Sequence, residues 1–94
     1  MNNKYTEFCE KFNGQEIRFC HRMIHVNESR RRWGAHDGRI KDQRNQPFAF
    51  DGILVNSDNI DYYIFINQID LKWVKNNNEK MYNALIILVL GADH

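Results

Sequence analysis

The sequence predicts an α+β domain: a short N-terminal helix packed on a mainly antiparallel sheet of four or five strands. A small, partly closed β-barrel is the nearest alternative. Three observations predict it. Residues 4–14, KYTEFCEKFNG, carry Tyr5, Phe8, Cys9 and Phe12 at i, i+3, i+4 and i+7, which is one apolar face at helical spacing. Residues 48–56 and 61–69 are dense in β-branched and aromatic residues, and SDN marks a turn between them. The run ALIILVL at 84–90 is apolar on both faces, as in a strand covered from both sides.

The elements follow in chain order. Asn3 is placed to cap the first helix, and Gly14 follows Asn13 as its stop. A helix of about ten residues is marginal alone, so its apolar face must pack on something. Residues 15–26, QEIRFCHRMIHV, read as a strand with Ile17, Phe19, His21, Met23 and His25 on one face; a helix grouping Phe19, Cys20, Met23 and Ile24 is the alternative. Residues 27–47 read as a long polar connection, with a short helical turn at 29–33 capped by Ser29. Segments 48–56 and 61–69 form an antiparallel hairpin around 57–60. Residues 70–74 extend the second strand or form a short one, 75–80 turn, and 82–91 form a central strand.

The 94 residues make one domain, 1–94. A chain of this size buries roughly 60–65% of the surface its unfolded form exposes, enough for one modest core. A hydrophobic content of 43% is that of a folded protein. Two cysteines, Cys9 and Cys20, are too few for a disulfide framework. The N-terminus lacks a signal-peptide core, and the longest apolar run falls far short of the roughly 20 residues a membrane helix needs. These features predict a cytoplasmic chain with reduced thiols and no membrane association.

Net charge is only +1, but the signs are segregated. Residues 16–44 hold Arg18, Arg22, Arg30, Arg31, Arg32, Arg39, Lys41 and Arg44 against Glu16, Glu28, Asp37 and Asp42. Residues 45–71 hold Asp51, Asp58, Asp61 and Asp70 and no Lys or Arg. The stretch NESRRRWGAHDGR at 27–39 concentrates the chemistry. Arginine presents a planar fork that matches phosphate or carboxylate oxygens. Tryptophan offers a face to a base or a guanidinium, and both residue types are enriched at interface hot spots. The candidate binding residues are therefore Arg30, Arg31, Arg32, Trp33, His36, Arg39 and Arg44. The bland reading is a solvated loop with Trp33 turned into the core.

Other chemistry has weaker support. His21 and His25 share a face in either conformation, but no zinc-ligand spacing motif accompanies them, so no metal or other cofactor is expected. No nucleotide cradle or nucleophile elbow occurs. His36 beside Asp37, with Arg39 close by, is the one constellation that suggests acid–base catalysis. The sequence is thus read as a non-enzymatic protein-binding module of inhibitor, immunity-type or adaptor kind, meeting a partner with an acidic patch. A nucleic-acid-binding regulator using the 30–44 basic loop is the first alternative, with Tyr62, Tyr63 and Phe65 on an open sheet face. A small His-dependent nuclease is the second. Near-neutral charge favours protein over nucleic acid. A homodimer through a sheet edge is compatible with the aromatic strands.

Overall fold

The computed structural model describes residues 3–22, 33–48 and 50–91. The elements run α1 (Lys4–Lys11), β1 (Glu16–Arg22), β2 (Trp33–Ile40), β3 (Ile53–Ser57), β4 (Ile60–Ile64), a 3-10 turn (Ile66–Gln68), α2 (Leu71–Asn77) and α3 (Glu79–Gly91). The fold is α+β, with an open four-stranded antiparallel sheet in the order β1-β2-β3-β4.

Local chemistry sets each boundary. Asn3 Oδ1 accepts the Thr6 N–H at 2.9 Å and caps α1. Gly14, at φ +83°, turns the chain, and its N–H donates to the Ile40 carbonyl at 2.7 Å, so the helix leads straight into the sheet. Asp58 and Asn59 both take positive φ, 51° and 64°, and close a tight β3–β4 hairpin whose twist matches the strands. Asp70 Oδ1 caps α2 through the Trp73 N–H at 3.0 Å, and Asn78 Oδ1 caps α3 through the Met81 N–H at 3.1 Å.

Strand alternation divides the sheet into two faces. The inner face carries Ile17, Phe19, Ile40, Ile53, Val55, Tyr62 and Ile64, which join Phe8, Cys9 and Phe12 of α1, Val74 of α2 and Met81, Leu85 and Leu88 of α3 in one core. The sheet is strongly curled. β1 and β2 pair over seven residues, but the β2–β3 ladder holds two pairs, Arg39 with Asn56 and Ile40 with Val55, beside which the Ser57 hydroxyl donates to the Asp37 carbonyl at 2.8 Å. At that crossing Gly38 leaves no room for a side chain: a Cβ would lie 2.6 Å from the Asn56 carbonyl oxygen. Beyond β4 the chain returns to the far edge of β1, where Ile69 bridges Phe19 and the Asp70 N–H donates to the Arg18 carbonyl at 2.9 Å.

Three expectations are corrected. Residues 82–91 belong to helix α3, not to a central strand, because Met81, Leu85 and Leu88 bury at helical spacing while Ile87 points out at 70% exposure. Residues 70–74 open α2 behind the Asp70 cap rather than continuing a strand. The polar connection 27–47 contains strand β2, whose apolar content is low because Gly34 and Gly38 occupy inner-face positions. The first segment is a strand as expected, through Arg22. Its continuation to residue 26, and the helical turn placed at 29–33 as far as residue 32, lie outside the described residues. Trp33 itself begins β2. Among the described residues no helix is long and apolar enough to cross a membrane.

Candidate functional site

Among the described residues, those singled out in the sequence do not converge on one spot. Arg30, Arg31 and Arg32 lie outside the described residues. Trp33 is 61% exposed at the start of β2, so its indole is not turned into the core. It stands opposite Arg22 in the strand register. Arg39 projects from the outer face of β2, where Nη2 meets Glu16 at 3.3 Å and Nη1 donates to the Gly14 carbonyl at 2.9 Å. Arg44 lies elsewhere, held by Asp42 at 2.6 Å and Glu10 at 3.1 Å. Its hydrogen bonds to the Asp42 carboxylate raise Arg44 and hold Asp42 below the usual carboxylate range. Both described arginines of the predicted surface therefore already have carboxylate partners.

His36 and Asp37 do not form a catalytic pair. They alternate along β2, so they occupy opposite faces. Asp37 binds Arg18 on the outer face at 2.8 Å, and the Arg18 guanidinium lies over the Trp73 ring at 5.6 Å. His36 turns to the inner face and stacks on Phe19 at 5.3 Å with planes 17° apart. There it meets His21 at 6.2 Å and Tyr62 at 5.4 Å. Cys20 alternates to the outer face and is exposed, away from His21.

An aromatic surface takes in Tyr63 and Phe65, expected on an open sheet face, and adds Phe48 and Phe50, which the sequence does not single out. Phe48, Tyr63, Phe50 and Phe65 form a continuous row with successive ring centroids 5.3, 5.5 and 5.4 Å apart. Phe48 is 52% exposed and Phe65 54%. The row runs beside β4, the edge strand. Tyr62 does not share it, since that ring faces the core at 6% exposure. The spacing of Phe48 with Phe50 and of Tyr63 with Phe65 was the available signal: two aromatics, two apart, in each β-rich segment.

The row is built on a fixed base. Gln43 is buried and donates to Thr6 Oγ1 at 3.4 Å and to the Gly52 carbonyl at 3.3 Å, while accepting from Cys9 Sγ at 3.6 Å. This amide ties the loop after β2 to α1 and to the start of β3. A side chain at Gly52 would collide with the Ile64 carbonyl and the Phe50 ring, so the missing Cβ lets Phe50 lie close to β4. The Tyr63 hydroxyl donates to Gln46 Oε1 at 2.6 Å. Between these residues opens a concavity of about 140 Å³, with Thr6 and Gln43 among its lining and Phe48, Phe50 and Tyr63 along it.

Comparison with protein-family models, curated proteins and solved structures gives no match. The reading of function therefore rests on these surfaces. An exposed, interlocked aromatic row offers apolar area at low entropic cost, and its hydroxyl and flanking amides can satisfy polar groups at a rim. The inner-face histidines offer imidazole nitrogens in a half-buried aromatic setting.

Proposed function

We propose that this chain is a non-enzymatic binding protein that docks a protein partner on the Phe48–Tyr63–Phe50–Phe65 row. The observation that carries the reading is the row itself: four rings, each packed on the next, two of them more than half exposed, beside an edge strand. Contiguous exposed aromatic surface on a small protein marks an interaction site more often than scattered apolar residues do. The adjacent concavity, where Thr6, Gln43, Arg44 and Gln46 face the rings, suits a side chain of the partner that carries a polar end on an apolar or aromatic body.

Electrostatics supports a protein partner over nucleic acid. Arg39 and Arg44 are matched by Glu16, Asp42 and Glu10, which leaves little free positive charge at these positions to release counterions from a phosphate backbone. The partner is accordingly read as one that meets an aromatic surface, with any acidic patch serving to orient it. The alternative as a nucleic-acid regulator draws on exposed Trp33 facing Arg22 across the strand pair.

The test is recovery of bound material by the tagged protein from native lysate, with and without nuclease. A protein recovered in near-equal amount, insensitive to nuclease and lost when Phe65 and Tyr63 are changed to lysine, is the expected result. Nucleic acid recovered alone, with binding weakened by Trp33→Ala, would replace this reading with the regulator.

A further inference from the structure

We propose that the groove between α1 and α3 is a self-complementary interface that receives the same groove of a second copy of this chain. The N-terminal end of α1 lies beside the C-terminal end of α3, where Lys4 Nζ comes within 3.5 Å of the position a Cβ would take at Gly91. Between the helices runs an open groove of about 220 Å³ with Phe8, Phe12, Ala84, Ile87 and Leu88 along it. It shares no lining residue with the concavity of the aromatic row, so the two surfaces are distinct.

Helix α3 is apolar on more sides than the fold covers. Met81, Leu85 and Leu88 enter the core, while Ile87 and Leu90 stand 70% and 61% exposed. A helix apolar all round is normally covered all round, by more protein or by lipid. At 13 residues α3 is about 20 Å long, short of the ~30 Å hydrocarbon layer of a bilayer. Its exposed residues Asn83, Ile87 and Leu90 fall at i, i+4 and i+7, the seam spacing of helices that pack side by side.

Charge selects the occupant. The charged residues of the groove are Lys4, Glu7 and Lys11 of α1. Lys4 is matched within its own chain, because it sits at the negative C-terminal end of the α3 dipole. That leaves one anion and one cation, Glu7 and Lys11, about one helical turn apart (~6 Å along the axis). Neither has an ion-pair partner among the described residues. A twofold axis passing between them sets Glu7 of each copy against Lys11 of the other, so the rim matches itself twice per dimer. An anionic lipid surface calls instead for a rim of basic residues, and Glu7 opposes it.

The two helices side by side present a face of roughly 20 Å in each direction. That is at the low end of interfaces that hold a stable dimer, so the association is weak and concentration-dependent.

Sedimentation equilibrium of the tag-free full chain over a wide concentration range is the test. The expected result is a mass that rises from one chain toward two. Ile87→Lys/Leu90→Lys, at exposed positions, should raise the dissociation constant at least about tenfold. Glu7→Lys and Lys11→Glu should each weaken the dimer by about a few-fold, and the double exchange Glu7→Lys/Lys11→Glu should restore it. A merely structural role of either residue would not give rescue by exchange. The mass of the unaltered chain decides the matter even if a variant misfolds. The mass of one chain at every concentration would overturn the proposal, and binding of that monomer to vesicles of phosphatidylcholine and phosphatidylglycerol would assign the face to lipid. A dimer unaffected by Ile87→Lys/Leu90→Lys would also overturn it, in favour of another surface such as the β4 edge.

Discussion

The ring of Phe19 lies 5.3 Å from the ring of Tyr62, although β1 and β4 stand at opposite edges of the sheet. Neighbouring strands are ~4.8 Å apart, so flat strands would hold these residues about 14 Å from each other. The contact measures the curl that brings the β1–β2 hairpin over the β3–β4 hairpin. It also gathers His21 and His36 against Tyr62.

That curl depends on Gly38. A Cβ there would meet the Asn56 carbonyl oxygen at 2.6 Å and Val55 Cγ1 at 2.7 Å, beside the short ladder that joins β2 to β3. Gly38→Ala should destabilise the protein by about 1–3 kcal/mol, as overpacking does. It should also weaken the contact between the Phe19 and Tyr62 rings. Urea unfolding and the inter-ring NOE check both effects. An unchanged midpoint would mean that the crossing is looser than described.

The two thiols should separate cleanly. Burial pushes the Cys9 thiol from its ordinary 9.0 up to about 11, while Cys20 is exposed. A thiol reagent near pH 8 should label one site per folded chain, Cys20, and two once the chain is denatured. The same shift has a stability consequence. As pH rises past 9 the unfolded chain loses this proton first, so the Cys9 contribution to stability declines through pH 9–11. Rapid labelling of both thiols in the native protein would contradict the burial of Cys9 against Gln43.

The Lys41–Asp61 pair gives the opposite sign. Hydrogen bonds from Lys41 at 2.8 Å and Asn56 at 2.7 Å hold the Asp61 carboxyl below its ordinary value. Its contribution is present above that ordinary value and disappears as pH falls through the lowered one. Lys41→Ala should raise the Asp61 titration midpoint toward the usual carboxylate range, read from its side-chain carbon resonance. An unmoved midpoint would show that the ion pair does not persist in solution. The pair is solvent-exposed, so the effect on global stability should be small.

Much of the fold was legible in the sequence, for identifiable reasons. Asn3, the spacing of Phe8, Cys9 and Phe12, and the Asp58–Asn59 turn each act locally, and each is found where its chemistry places it. The last helix reads as a strand because ALIILVL is apolar all round, a pattern shared by a covered strand and a helix packed on one side. The deciding signals were the capping residues Asp70 and Asn78, which bind the Trp73 and Met81 N–H groups. Strand β2 escaped notice because its inner positions need glycine at a close crossing, and glycine reads as loop. The candidate site was less legible. The row joins two segments through Gln43 and Gly52, and the histidines meet through strand register; neither relationship exists before the chain folds.

The most direct test of the central claim is a side-by-side recovery from native lysate by the wild-type chain, a Tyr63→Lys/Phe65→Lys variant and Trp33→Ala, each checked for folding and treated with nuclease. Substituting an interface anchor typically costs about 2 kcal/mol or more, which is enough to remove a partner from a washed resin. One protein held in near-equal amount by wild type and Trp33→Ala and lost from the row variant is the expected result. Equal recovery by the row variant, or a signal that disappears with nuclease, would contradict it.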